Sequence, residues 1–271
     1  LPICRNNGSG DIGWQGIGRI SGRPWMIDET KFWHFGVSAG HTTVNNQYRA
    51  DGTFSQANAT AGQNSGGMSF VGFLGTNVDR TNVLNTGNLT SGSNDSPDAR
   101  RIDSYDRYGA ETALVYGPFS AQAEYLRTNI NGLNYSGEHL TGYYGYLSYF
   151  LTGESRAYHV RNGAWNRIVP NKSFHWNGTG LGAWEFAVGY DYLNMNNGKI
   201  RGGEADMIRF ALNWYPHTHV RVMTNVNHVL NLNTAGVVNY NAAGEPIAND
   251  RSQGFHDANI TSFLTRVQVD F

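Results

Sequence analysis

The stretch that most constrains this chain is its last one. In Ile260-Thr-Ser-Phe-Leu-Thr-Arg-Val-Gln-Val-Asp-Phe271, Phe263, Val267, Val269 and Phe271 fall on one face of an extended chain, while Arg266, Gln268 and Asp270 fall on the other. A two-residue period specifies a strand. An apolar outer face, a charged inner face and a final aromatic are what closing a transmembrane β-barrel against lipid requires. A half-buried strand of a soluble sandwich shows the same period, so the upstream strands must decide.

They repeat the pattern. Trp14 and Ile20 oppose Arg19, and Trp33, Phe35 and Val37 share a face in the next segment. Between them Gly22-Arg23-Pro24 is expected to break pairing, and Asp28 to Lys31 suits an aqueous loop. Residues 42–67 are polar, Met68 to Leu74 reads as a short strand, and 75–103 reads as a long surface loop. A hairpin follows about Gly117-Pro118, with Ala110, Thr112, Leu114, Tyr116, Phe119, Ala121, Ala123 and Tyr125 on one face and Glu111, Gln122 and Glu124 on the other. Residues 141–152 carry tyrosines on both faces, which leaves the outward side open. Residues 153–180 form a long connection whose aromatics imply that it packs on something. In 183–195, Trp184, Phe186, Val188, Tyr190 and Tyr192 alternate against Glu185 and Asp191; in 207–215, Ile208, Phe210, Leu212 and Trp214 oppose Arg209 and Asn213. Pro216 to His219 then turns into a strand over 220–226.

Composition agrees with strands. The 271 residues are 39% hydrophobic and 15% charged, enough apolar content for one barrel or one sizeable core, and the 34 glycines and 13% aromatics favour sheet over helix. No run of 18 apolar residues occurs, and a barrel would show none because half its residues face a wet interior. A net charge of −1 gives no pull toward nucleic acid. The single Cys4 forms no internal disulfide. The start at Leu1, without a signal pattern, is expected of a processed form or of a piece of a longer protein.

About ten strands result, with tight turns at Gly117-Pro118 and Pro216-His217 on one end; parity places the connections 42–67 and 153–180 on that same end. The inner face then carries Arg19, Arg209, Arg221 and Arg266 against Glu111, Glu124, Glu185, Asp191 and Asp270. These are the pore-lining candidates. Arg209, Arg221 and Arg266, on successive strands, form either a basic stripe or a stiffening salt-bridge network with Glu185 and Asp270. Arg127 falls on the lipid-facing parity near a strand end, where it reaches lipopolysaccharide phosphates or water. His217 and His219 lack a third ligand, so no metal is expected, nor any cofactor. No Gly-x-Ser-x-Gly elbow appears and no enzyme is expected; an outer-membrane hydrolase or adhesion barrel is the alternative.

The chain resembles the phosphate-selective porin family of the Gram-negative outer membrane. The stretches that carry the resemblance are Gly109 to Tyr125, Ser148 to Arg156, Ala183 to Tyr190, Gly202-Gly-Glu204 with Leu212-Asn-Trp-Tyr215, and the Phe271 end. It implies a sixteen-stranded, antiparallel, all-β barrel assembled as a homotrimer, a single domain over 1–271 that lacks N-terminal strands. It also implies passage of small anionic or polar solutes, phosphate among them, and contact with membrane lipid and lipopolysaccharide. The family's lysine cluster would fall in the absent N-terminal part. Where its arginine-rich segment would align, Met68-Ser-Phe-Val-Gly-Phe-Leu-Gly75 contains no arginine.

Overall fold

The computed structural model describes residues 3–7, 14–44, 68–75, 83–87, 89, 102–132, 135–198, 200–234 and 257–270. The strands are β1 (Ile3–Asn7), β2 (Gln15–Asp28), β3 (Lys31–Thr43), β4 (Met68–Gly72), β5 (Leu84–Asn85), β6 (Ile102–Tyr116), β7 (Phe119–Gly132), β8 (Tyr135–Phe150), β9 (Tyr158–His159), β10 (Ala164–Trp165), β11 (Ala183–Asn197), β12 (Ile200–His217), β13 (Val220–Asn233) and β14 (Thr261–Val269). Nine of them form one antiparallel sheet in the order β14-β13-β12-β11-β8-β7-β6-β3-β2. The fold is all-β, an antiparallel meander of long strands.

Register explains why the alternation in the sequence is so clean. One row of directly paired residues runs Trp25, Trp33, Leu114, Ala121, Leu147, Val188, Phe210, Val226, Phe263 across all nine strands. The neighbouring row runs His34, Ala113, Gln122, Tyr146, Gly189, Arg209, Asn227, Ser262 on the opposite face. A slip of one residue at any ladder would exchange the two rows, so the pattern pins the register. The apolar face is open, with Trp33, Phe35, Phe186, Phe210, Leu212 and Phe263 all exposed. Aromatics collect at both of its ends: Trp33, Tyr116, Tyr149, Trp184 and Trp214 toward the tight turns, Tyr108, Tyr125 and Tyr143 toward the other end.

Several expectations are corrected. Pairing resumes after Gly22-Arg23-Pro24, because a register shift between Gly22 and Trp25 takes up the proline without ending β2. β4 is not a member of the large sheet; it pairs with β1 and β5 in a small separate one. Among the described residues nine sheet strands therefore replace ten, and the chain leaves the sheet after β3 for an insertion and re-enters it at β6 at the end away from the tight turns at Glu29-Thr30, Gly117-Pro118 and Thr218-His219. Of the two long connections, 151–182 alone lies at the tight-turn end. The tyrosines of β8 divide by parity: Tyr143 and Tyr149 are exposed on the apolar face, while Tyr144 and Tyr146 bond Gln122 on the other. Phe271, all of 45–67 and, within the expected surface loop, 76–82, 88 and 90–101 lie outside the described residues.

The polar face is covered at both ends by the chain itself. At one end Phe70, Leu74, Val83, Leu84 and Leu89 of the insertion pack on Ile102, Ile130, Leu140, Leu193, Met195, Met207 and Val229. Leu84 and Leu89, expected in a surface loop, are buried there. At the other end Ile168 of the long connection packs on Phe150, Ala183 and Tyr215.

Candidate functional site

Between those two covers lies a wall of charged and hydroxylated side chains. The connection 151–182 organises it, because its first half crosses the covered face and not open solvent. Arg156 donates to the Tyr146 hydroxyl at 2.9 Å, lies 3.4 Å from Glu185, and stacks over Trp165 at 5.0 Å. Glu185 is fully buried and also accepts hydrogen bonds from Asn213 at 3.0 Å and Tyr215 at 2.8 Å. A buried carboxylate is tolerable only with such partners. Trp165 and Tyr146 both donate to the Gln122 side-chain oxygen at 2.6 Å, and Gln122 donates to Tyr144 at 3.0 Å.

Tyr158 ties the same segment to β3, with its hydroxyl 2.7 Å from Nδ1 of His34. Burial raises the pKa of that hydroxyl above the usual tyrosine value, so it stays a phenol. On its other side His34 Nε2 lies 3.0 Å from a Glu111 carboxylate oxygen. Glu111 lies over Gly36, its direct partner on β3, and a Cβ there would overlap the carboxylate. Arg19 pairs with Glu111, its Nε at 3.0 Å, and donates to the carbonyls of Asn162 at 3.3 Å and Gly163 at 3.0 Å. Arg19, His34, Glu111, Gln122, Tyr158 and Trp165 line a cavity of about 220 Å³.

The sequence-derived candidates all fall on this face but do not form one ring. Glu111, Glu124, Tyr144 and Asp191 occupy one register row, so three carboxylates run along the middle of the wall. Arg209 holds Asp191 at 2.8 Å. The stripe of Arg209, Arg221 and Arg266 is interrupted: Arg209 pairs in register with Asn227, six residues along β13 from Arg221, or about 20 Å. Arg266 pairs with Met223 and so lies diagonal to Arg221 near the tight-turn end. Arg221 donates to the Gln268 oxygen at 2.6 Å, and Gln268 donates to Asp270 at 2.7 Å. Among the described residues no carboxylate pairs with Arg221 or Arg266. Glu185 finds Arg156 and not a strand arginine.

His34, Arg156, Tyr158 and Trp165 escaped the sequence reading. His34 had a signal, since it alternates against Trp33 and Phe35. The other three sit on an irregular segment, where periodicity gives no face. Among the described residues no group of three or more His, Cys, Asp or Glu side chains is placed to hold a metal ion.

The sequence profile of the family described as "Phosphate-selective porin O and P" matches residues 20–239. An uncharacterized protein of Caulobacter vibrioides is 32% identical over 164 residues, which cover 60% of this chain and 30% of that protein. Porin O of Pseudomonas aeruginosa is 32% identical over 127 residues, 42% of this chain and 27% of its own length. The chain thus matches somewhat under a third of each relative. With four-fifths of its length inside the profile, and strands that are apolar on one face and polar on the other, the chain belongs to the phosphate-selective porin O and P family of outer-membrane porins.

Proposed function

We propose that this chain forms part of the wall of an outer-membrane barrel that passes small polar solutes passively. The observation that carries the reading is the division of the nine-stranded sheet into an open apolar face and a face of paired charges, tyrosines and amides. Lipid accepts the first and a water-filled pore the second. β2 and β14 pair on one side only among the described residues, and a strand edge in hydrocarbon needs a mate, so closure with further strands completes the barrel. The half of the connection carrying Arg156, Tyr158 and Trp165 then narrows the pore near its tight-turn mouth. Three such barrels form the homotrimer that the family resemblance implies, and Arg127, exposed-side neighbour of Tyr108 and Tyr125, meets lipopolysaccharide.

Selectivity follows from the charge layout. Arg19, Arg156 and Arg209 are each matched by a carboxylate, which, of the arginines weighed as pore-lining, leaves Arg221 and Arg266 to draw anions such as phosphate at the tight-turn mouth. The preference is therefore modest. The test is the reversal potential of the full-length protein in a planar bilayer under a chloride gradient, with and without phosphate. A weak anion preference that disappears in the Arg221→Gln, Arg266→Gln double variant supports the assignment. Cation preference, or ester hydrolysis by the purified protein, sinks it.

A further inference from the structure

The second half of the long connection does something different from the first: it turns back over the rim onto the apolar face. Residues 172–182 form a small hairpin, closed by Gly182 N–H to Lys172 carbonyl at 3.1 Å, His175 N–H to Gly180 carbonyl at 3.1 Å and Gly178 N–H to His175 carbonyl at 3.0 Å. Gly180 is required in it, because a methyl there would overlap the Ser173 carbonyl. The hairpin is fastened to the sheet in two ways. Phe174 N–H donates to the Pro216 carbonyl at 2.8 Å, and the indole N–H groups of Trp184 and Trp214 both reach the Leu181 carbonyl, at 3.3 and 2.9 Å. The Phe174 ring packs edge-on against Trp214 at 5.2 Å and Trp176 at 5.0 Å, while Trp184 stacks on Trp214 at 5.6 Å.

This arrangement leaves Trp176 95% exposed and Leu181 63% exposed, on a hairpin held against two tryptophans of the apolar face. A free tryptophan of about 150–250 Å² is a large apolar surface to leave in water. The stretch 172–184 contains no acidic residue, and its ionisable side chains are Lys172 and His175. Exposed aromatic and aliphatic groups beside a cation, continuous with a belt of tryptophans, match the headgroup boundary of a phospholipid leaflet.

We propose that hairpin 172–182 is a membrane-interface anchor, with Trp176 and Leu181 seated in the leaflet on the tight-turn side and Lys172 at its phosphates. The proposal rests on the reading of the open sheet face as lipid-facing. The occupant is phospholipid, because the stretch 172–184 carries a cation and no acidic residue, which complements anionic headgroups, and its exposed apolar side chains continue the tryptophan row of the open face.

The test is depth-resolved quenching in phosphatidylcholine and phosphatidylglycerol vesicles. The full-length protein, with Cys4→Ser, carries a polarity-sensitive fluorophore on Trp176→Cys or, as a strand control, on Leu212→Cys. Quenching of the 176 label by about twofold with lipids spin-labelled near the headgroup, and less with labels deep in the acyl chain, is expected for a side chain about 5–10 Å into the interface. A 176 label that is unquenched while 212 is quenched overturns the anchor alone. A 176 label shielded from both lipid and water marks a contact between copies and overturns it too. If neither position is quenched, the lipid-facing reading falls first and takes the anchor with it.

Discussion

The two segments that cover the polar face do so by opposite chemistry. The insertion at one end buries Phe70, Leu74, Leu84 and Leu89 against strand aliphatics, so most of its contacts are non-directional, with Asn227 donating to the Gly75 carbonyl at 3.2 Å as a directed one. The connection at the other end lies over β2, β3, β7, β8 and β11 through Arg156, Tyr158, Trp165 and the backbone carbonyls that Arg19 reaches, and most of these contacts have a direction. An apolar cover tolerates small shifts without losing its energy. A polar one holds a side chain in a single place or loses a partner outright, and so can shape a pore whose wall must also stay wet.

The change expected to separate the two covers most sharply is Glu185→Ala, which leaves the partly buried Arg156 without its counter-charge and the Asn213 and Tyr215 donors without their acceptor, and should cost about 3–5 kcal/mol, read as a lowered thermal midpoint in detergent. Glu185→Gln, which can keep the Asn213 contact, should cost visibly less. Leu84→Ala at the other cover should cost about 2–4 kcal/mol through the cavity it leaves, with the same penalty at low and high salt. A salt-dependent penalty there would undo the contrast. Tyr158→Phe removes one hydrogen bond to His34 and should cost about 1 kcal/mol, with noisier open-channel current as the connection loosens. Arg19→Gln, at a partly exposed pair, should shift stability by less than about 1 kcal/mol. Its effect belongs to conductance instead, and the difference from the native protein should fade between 0.1 and 1 M salt as the screening length drops from about 10 to 3 Å.

What could be read from sequence tracks where periodicity holds. The faces of β2, β6, β7, β11, β12, β13 and β14 follow from alternation alone, and with them the side on which Arg19, Glu111, Glu124, Glu185, Asp191, Arg209, Arg221, Arg266 and Asp270 lie. Their partners do not follow, since pairing depends on register across strands and on segments that have no period. Glu185 illustrates this: alternation put it on the polar face, but Arg156 reaches it from a connection. The β4 segment misled for a related reason. Met68 to Leu74 has the composition of a sheet strand, yet the short apolar run pairs locally with β1 and β5 and spends its side chains on the covered face. Tyr144 and Tyr146 were unreadable because tyrosine suits a wet wall as well as a membrane boundary.

The aromatic ends of the open face set a length. Tyr108 and Tyr116 lie eight residues apart on β6, which at about 3.4 Å per residue and a tilt of about 40° amounts to roughly 20 Å of height. Ordinary bilayers offer a hydrocarbon thickness of about 30 Å, and the bacterial outer membrane less. Hydrophobic mismatch would therefore penalise this wall in thick membranes and spare it in thin ones, so that short-chain lipids, and not long-chain ones, are the natural solvent for its strands.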